Sequence, residues 1–98
     1  MNSVTLIGNV GKDPETRQTQ NSSVTNTTLA TTYGEDTEWH NLQAWGKASE
    51  IIQKYVKKGD KIAIQGRIKT ETWEKDGERK YKTVIVVNTI EMLGSKKD

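Results

Sequence analysis

The 98-residue sequence predicts an all-β domain with one helix. Five segments have the alternation or the composition of β-strands, and a single segment, between the third and the fourth, has the period of an amphipathic helix. A chain of this length forms one small domain. We expect that domain to span residues 1–93, followed by a flexible C-terminal end at residues 94–98.

The first three predicted strands lie in the N-terminal half of the chain. Residues 4–10 (VTLIGNV) alternate with a period of two, and Asp13-Pro14 ends or bends this strand because Pro cannot donate to a strand ladder. Residues 24–32 are rich in Thr and Val, which favour strands. A short turn at residues 33–36 then leads into the third strand, at residues 37–45.

The helix is predicted in the segment KASEIIQKYVKKG, which follows Gly46. Its apolar residues form one stripe of an amphipathic helix, so Tyr55 on that stripe is expected in the core. Lys57 and Lys58 would occupy the last turn, where they favour the negative end of the helix dipole, and Gly59 would end the helix. The apolar stripe consists of Ala48, Ile51, Ile52, Tyr55 and Val56.

Two further strands follow, at residues 60–72 and 81–87, and an Asp-Gly turn within residues 75–78 joins them. Residues 84–87 (VIVV) are apolar on both faces, which predicts that a helix or a partner chain covers part of this strand. Three strands, a helix and two strands are the layout of the OB-fold, a five-stranded Greek-key barrel with a helix between strands 3 and 4.

The composition excludes several function classes. There is no Cys, so neither a disulfide framework nor a thiolate site is possible, and no phosphate-loop, HExxH or nucleophile motif occurs. We therefore predict a protein that is not an enzyme and uses no cofactor or metal. Net charge is −3 over residues 1–45 and +5 over residues 46–98, which is compatible with a polyanionic partner but does not require one.

The third strand carries two of the three Trp residues, six positions apart. Trp39 and Trp45 share one face with two amide side chains, whereas Leu42 and Ala44 share the other. If the Trp face were buried, each amide would need a partner or cost roughly a few kcal/mol. The sequence therefore favours exposed indoles, and the alternative is a pair of core Trp residues with satisfied N–H groups.

Exposed rings about 20 Å apart, at about 3.3 Å per residue, are too distant for a small-molecule cage and suit an extended ligand. Single-stranded nucleic acid is such a ligand, because every base offers a flat face. Trp73 lies at the end of a strand whose outward positions include Arg67 and Lys69, and an aromatic on a basic hairpin fits the same ligand. The alternative is that Trp73 only pairs with Tyr81 across the hairpin.

Along nearly its whole length the sequence resembles the bacterial-type single-stranded-DNA-binding proteins. The resemblance implies an OB-fold and sequence-nonspecific binding and protection of single-stranded DNA in replication, recombination and repair. It also implies self-association, as a homotetramer or alternatively a dimer. The motifs that carry it are VTLIGNVGKDPETR (4–17), LAT (29–31), TEWH (37–40), AWGKASEI (44–51), KYVKKGDKI (54–62), GRIKT (66–70) and VIVVNTIEML (84–93).

The resemblance also assigns roles to individual residues. His40 corresponds to a position at the subunit interface, and without acidic or Cys partners in a motif it is structural rather than catalytic. Tyr33 is the only aromatic available in a loop that is shorter than usual. The resemblance implies base stacking by Trp39, Trp45 and Trp73 and phosphate contacts from Lys47 and Lys58. We further expect phosphate contacts from Arg67, Lys69 and Arg17 and base stacking by Tyr33.

Two departures from the family pattern matter for function. Glu71 and Thr72 replace basic residues before the hairpin Trp, which should weaken phosphate attraction there. The C-terminal residues GSKKD lack an acidic tip, so recruitment of replication and repair proteins through a tail is not expected.

This chain is therefore interpreted as a truncated DNA-binding core or a phage- or mobile-element variant. Because the sequence shows no secretory signal or membrane span, we expect it in the bacterial cytoplasm. The alternatives are an OB-fold interaction module of the replication machinery and a single-stranded RNA binder.

Overall fold

The computed structural model describes residues 1–94, which form six strands and one helix. The predicted fold class is confirmed: the chain is mostly β, with one helix after the third strand of its barrel. In chain order the elements are β1 (Val4–Val10), β2 (Glu15–Gln18), β3 (Ser23–Tyr33), β4 (Asp36–Trp45), α1 (Gly46–Tyr55), β5 (Lys61–Lys75) and β6 (Glu78–Gly94). Gly94 ends β6, and the remainder of the predicted flexible end, residues 95–98, lies outside the described residues.

Five of the six strands close into a barrel. The sheet order is β1-β5-β6-β4-β3-β2, and an additional pairing of β1 with β3 closes the ring. All pairs are antiparallel except β4 with β6, where Leu42 is opposite Ile85 and Gln43 is opposite Val86. This is the predicted OB-fold arrangement, with α1 between the third and fourth barrel strands.

Closure of the barrel depends on glycine at two points of close approach. A Cβ atom at Gly8 would collide with the carbonyl oxygen of Ala30, where β1 crosses β3. A Cβ atom at Gly66 would collide with the carbonyl oxygen of Val86, next to a register irregularity between β5 and β6. Backbone contacts this close leave no room for a side chain, so these glycines are needed for packing.

The barrel interior is filled by aliphatic side chains, and α1 covers one end of it. Ile52 on the helix is 1% exposed and joins this core. A buried hydroxyl cluster attaches the helix to β3: Ser49 Oγ lies 2.6 Å from Thr25 Oγ1 and 3.1 Å from Ser23 Oγ. The core consists of Val10, Leu29, Leu42, Ala44, Ile52, Val56, Ile62, Ile64, Ile85 and Val87.

The helix ends earlier than predicted. Tyr55 is its last residue, and the N–H of Val56 donates to the carbonyl of Ile52 at 3.0 Å in extended backbone conformation. Val56 thus takes the last core position while Tyr55 is 56% exposed, so the prediction of a core tyrosine is wrong. The following turn is fixed by buried Asp60, whose carboxylate accepts the N–H of Lys57 at 2.9 Å.

The strands differ from the prediction in two places. The short β2 was not predicted, because its four exposed residues, ETRQ, show no apolar alternation; it is held by pairing with β3 at the edge of the sheet. The last strand is longer than predicted and runs over Glu78–Gly94. Asp76 and Gly77, both at positive φ, form the tight turn before it.

A single chain already buries the whole apolar run Val84–Val87, at 2–6% exposure, so no partner chain is needed to cover it. No helix within residues 1–94 has the length and apolar content needed to cross a membrane.

Candidate nucleic-acid interface

The outer face of β4 carries open indole rings. Leu42 and Ala44 are 1% and 0% exposed and point into the barrel, whereas Trp39 and Trp45 are 63% and 43% exposed. The predicted orientation of this strand is therefore confirmed, and the alternative of two core Trp residues is wrong.

Gln43 lies between the two rings and is buried, at 6% exposure, with both ends of its amide satisfied. The indole N–H of Trp45 donates to Gln43 Oε1 at 2.9 Å, and Gln43 Nε2 donates to Glu71 Oε2 at 2.9 Å. These two bonds offset the desolvation of the amide. The strand can therefore bury Gln43 without turning its Trp residues inward.

The bond to Glu71 shows that the β5–β6 hairpin bends across the outer face of β4. In register, Gln43 is opposite Val86, whereas Glu71 is opposite Lys82, four residues away along β6. That offset is about 13 Å along a flat sheet. The two long side chains and the bend of the hairpin together close the gap. Trp73 is two residues beyond Glu71 on the same face of β5, so it lies on the face that bends towards β4.

Trp73 is 45% exposed and lies on this bent hairpin. Its cross-strand partner is Lys80, and Tyr81 is opposite Thr72 instead. Neighbouring positions of a strand point to opposite faces, so Trp73 and Tyr81 lie on different faces of the hairpin. The alternative that Trp73 serves only as a cross-strand partner of Tyr81 is therefore wrong.

Trp39 rests on a glycine. A Cβ atom at Gly11 would lie 2.5 Å from Cζ3 of Trp39 and 2.6 Å from Oγ1 of Thr28, so only a residue without a side chain leaves the ring its place. The loop that carries Lys58 adjoins this position, because the N–H of Gly59 donates to the carbonyl of Val10 at 2.8 Å. The structure thus brings Lys58 to the rim of the Trp39 platform.

Cations surround the three rings. Arg67 and Lys69 lie on the outer face, opposite Val86 and Val84 in register. Arg17 on β2 is opposite Val24, which is itself opposite Trp45, and so extends the same row. Lys47 follows Trp45 by two residues, in the first turn of α1, and is exposed.

Most of these cations are available to a ligand. Within residues 1–94 only two ion pairs form, Lys12 with Glu15 and Lys80 with Glu78. None of the predicted phosphate contacts forms an ion pair with a carboxylate within residues 1–94. Lys82 shares the face of Glu71 by register and enlarges the basic surface beyond the predicted set, whereas Lys80 on the same face is paired with Glu78.

Two predicted residues lie elsewhere. Tyr33, at the tip of the β3–β4 hairpin, is 88% exposed, but the alternation of β3 puts it on the face opposite to the partner of Trp39, Ala30. His40 lies on the core face of β4, where its Nε2 is 2.8 Å from Oγ1 of Thr31. A stacking role for Tyr33 and an interface role for His40 stay predictions.

A cleft of about 390 Å³ opens where β4 and β6 diverge, beside Trp39. It is lined by Trp39, His40, Asn41, Tyr81, Lys82, Thr83 and Ile85. No group of acidic or His side chains within residues 1–94 is arranged to hold a metal ion.

Sequence reasoning missed two features of this face, the glycine beneath Trp39 and the link from Gln43 to Glu71. In the sequence, Gly11 is simply the residue that follows the first predicted strand. No local pattern indicates that the Trp39 ring packs on it. Gln43 was visible as a member of the Trp row. Its partner, Glu71, lies 28 residues later in the sequence and reaches Gln43 only because the β5–β6 hairpin bends.

A five-stranded barrel whose outer face presents spaced indoles among unpaired cations belongs to the class of OB-fold proteins that bind single-stranded nucleic acid. Comparison with known sequences specifies the class further. A sequence model of the Single-strand binding protein family matches residues 1–93. The chain belongs to this family.

Curated relatives and a solved structure agree with that membership. The chain is 45% identical over 108 residues to Single-stranded DNA-binding protein 1 of Chlorobaculum tepidum, covering 98% of this chain and 67% of the relative. It is 42% identical over 106 residues to Single-stranded DNA-binding protein 1 of Synechocystis sp., covering 100% and 88%. A structure described as “Plasmodium falciparum SSB complex with ssDNA” superimposes with a TM-score of 0.88 at 26% identity, covering 96% of both chains.

The resemblance predicted from the sequence is thereby confirmed. So is the prediction that the protein is not an enzyme, because the family and the relatives are binding proteins.

Proposed function

We propose that this protein binds and protects single-stranded DNA, without regard to its sequence, in replication, recombination and repair. The observation that carries the proposal is the row of open indoles on a barrel whose relatives are single-stranded-DNA-binding proteins. The solved neighbour is described as a complex with single-stranded DNA. Flat rings without base-edge donors and acceptors discriminate little between bases, so binding of this kind tolerates any sequence.

The binding mechanism follows from the arrangement of rings and cations. Bases stack on Trp39, Trp45 and Trp73, while Arg67 and Lys69 contact phosphates of the same strand. For proteins of this family, each stacked base contributes about 1–3 kcal/mol by alanine substitution. Because base stacking requires unpaired bases, a duplex cannot use these rings, which gives the selectivity for single strands.

The rim of the face supplies further phosphate contacts. Lys58 approaches from the side of Trp39, Lys47 from the start of the helix beside Trp45, and Arg17 from the edge strand. Tyr33 is proposed as a fourth stacking residue, reached by DNA that passes around the tip of the β3–β4 hairpin. Together these side chains would guide the strand around the barrel rather than straight across it.

Tryptophan fluorescence tests the proposal directly. Addition of a dT oligomer should quench the emission strongly, because bases stack on exposed indoles. Trp39→Ala combined with Trp73→Ala should weaken binding by about 2–6 kcal/mol if the two stacks add. Tyr55→Ala is the matched control: it removes an exposed aromatic on the helix, which lies outside the proposed face, and should leave affinity unchanged.

Unchanged emission on addition of dT, or a double variant with full affinity, would contradict the proposal. Competition between dT and rU oligomers of equal length separates DNA from RNA. Preferred binding of rU would favour an RNA binder, and weak binding of both beside tight capture by a replication protein would favour an interaction module.

The assembly state is part of the proposal. We propose a homotetramer in which His40 lies at a subunit interface, and we place the protein in the bacterial cytoplasm. Ile7 on the outer face of β1 supports self-association. This apolar side chain is 55% exposed in the single chain, and a second subunit packed on β1 would bury it. Light scattering with and without dT oligomers would measure subunit number and stoichiometry together, and a monomer in both conditions would contradict the assembly.

A further inference from the structure

An acidic side chain lies within the proposed DNA-binding face. Glu71 is half-buried on the bent hairpin, among Arg67, Lys69 and Lys82. A carboxylate on a surface that binds a polyanion repels its ligand. Its hydrogen bond to Gln43, at 2.9 Å, indicates a role that offsets this repulsion.

We propose that Glu71 is a positioning residue that orients the Trp45 ring through Gln43, an inference that rests on the proposed function of this face. A carboxylate can only accept hydrogen bonds, so it binds the NH₂ group of the Gln43 amide. The amide oxygen is thereby directed to Trp45, whose indole N–H can only donate. Both bonds measure 2.9 Å.

Without the Glu71 carboxylate, the Gln43 amide would no longer be held in one orientation. The Gln43 amide could then rotate by half a turn, and its NH₂ group would face the indole N–H, donor against donor. Gln43 is only 6% exposed, so water has little access to replace the lost partner. Trp45 is 43% exposed and would be free to change its rotamer. A mobile ring loses conformational entropy when a base stacks on it, and this loss weakens binding. A ring that is already fixed in the folded protein does not incur this loss on binding.

Glu71 therefore has two opposed effects on DNA binding, and two substitutions separate them. Glu71→Gln removes the charge but keeps a carbonyl oxygen that accepts from Gln43. Glu71→Ala removes the charge and the acceptor together. If charge alone mattered, both variants would bind DNA more tightly than the parent and to the same degree. If positioning matters, the Ala variant binds more weakly than the Gln variant.

The experiment uses the full chain with Trp39→Phe and Trp73→Phe, so that Trp45 is the only indole. Time-resolved fluorescence anisotropy of the free protein reports the motion of the ring, and titration with a dT oligomer at several salt concentrations reports affinity. We expect a mobile indole in the Ala variant only. At high salt its Kd should exceed that of the Gln variant by about two- to tenfold, the value of one hydrogen bond.

Two controls make the comparison specific. Glu74→Gln and Glu74→Ala change the same charge on the other face of the hairpin and should give equal affinities and a rigid Trp45. In a separate Trp45→Phe background, which retains Trp39 and Trp73 to report binding and keeps a stacking ring without an N–H at position 45, the difference in Kd between the two Glu71 variants should vanish. Thermal unfolding of every variant shows that the barrel is intact.

Equal anisotropy and equal Kd for the Gln and Ala variants would overturn the proposal, as would a difference that persists in the Trp45→Phe background. Failure of the proposed function has a different signature. In that case the parent with Glu71 would not bind dT, while the anisotropy of the free protein would still report on the positioning.

Discussion

At the scale of single residues, the platform for Trp39 depends on the missing side chain of Gly11. Gly11→Ala places a methyl group 2.5 Å from the ring carbon Cζ3 and 2.6 Å from Oγ1 of Thr28, so the exposed ring must move and the Thr28 side chain must rotate, while the barrel backbone stays in place. We expect affinity for a dT oligomer to fall by less than the loss of a whole stack, about 1–3 kcal/mol, with little change in the thermal midpoint. Fluorescence titration measures the affinity.

A double-mutant cycle is the control for this prediction. In a Trp39→Ala background there is no ring to displace, so Gly11→Ala should have no further effect on affinity. An equal loss in both backgrounds would mean that the methyl group acts on the loop and not on the ring.

The sequence predicts the environment of a single residue only where that environment is set by neighbouring residues in the chain. The outward orientation of Trp39 and Trp45 was predictable, because alternation and the amides between them lie within ten residues. The neighbours of these rings were not. Gly11 meets Trp39 across β3, and Glu71 meets Gln43 only after the hairpin bends. Such pairs follow from the register and coiling of the sheet, which no local pattern encodes.

At the scale of elements, α1 is attached to β3 through one buried hydroxyl. Ser49 Oγ lies within hydrogen-bonding distance of Ser23, Thr25 and Gln53. Ser49→Ala leaves the buried Ser23 hydroxyl without its partner and removes one of the two hydrogen bonds of Thr25, which keeps its bond to Thr16. The substitution should lower the free energy of unfolding by about 1–3 kcal/mol, measured by urea denaturation.

Ser22→Ala is the matched substitution, because the Ser22 hydroxyl makes only a 3.4 Å contact and should change stability by less than about 0.5 kcal/mol. Equal stability of the two variants would show that the hydroxyl cluster contributes nothing.

Element boundaries show where sequence patterns lose their value. The strand–helix order was predictable because each long element has a clear period. The end of α1 was not, since Tyr55 and Val56 are both apolar and only packing decides that Val56 takes the core position. The edge strand β2 has no apolar alternation at all, and its conformation comes from the ladder it forms with β3. Tertiary pairing thus supplies what local propensity leaves open.

At the scale of the whole molecule, the position of charge matters more than its sum. The net charge of +2 and the uneven halves of the sequence did not require a polyanionic partner. The folded protein favours a polyanionic partner more strongly than the net charge does. Strands from both halves of the sequence form one outer face, which combines the Trp rings with Arg17, Arg67 and Lys69. The face, rather than the chain, is therefore the unit that a nucleic acid recognises.

Two arginines of the same barrel test whether one face carries the binding. Arg67 is opposite Val86 on the outer face, and Arg79 is opposite Glu74 on the other face of the β5–β6 hairpin. Arg67→Gln should weaken binding to a dT oligomer and reduce the slope of log affinity against log salt by about 0.7, the value for one phosphate contact on a single strand. Arg79→Gln makes the same change in net charge and should leave the slope unaltered. Equal slopes for the two variants would mean that only the overall charge attracts DNA, and the binding face would then have to be sought elsewhere on the barrel.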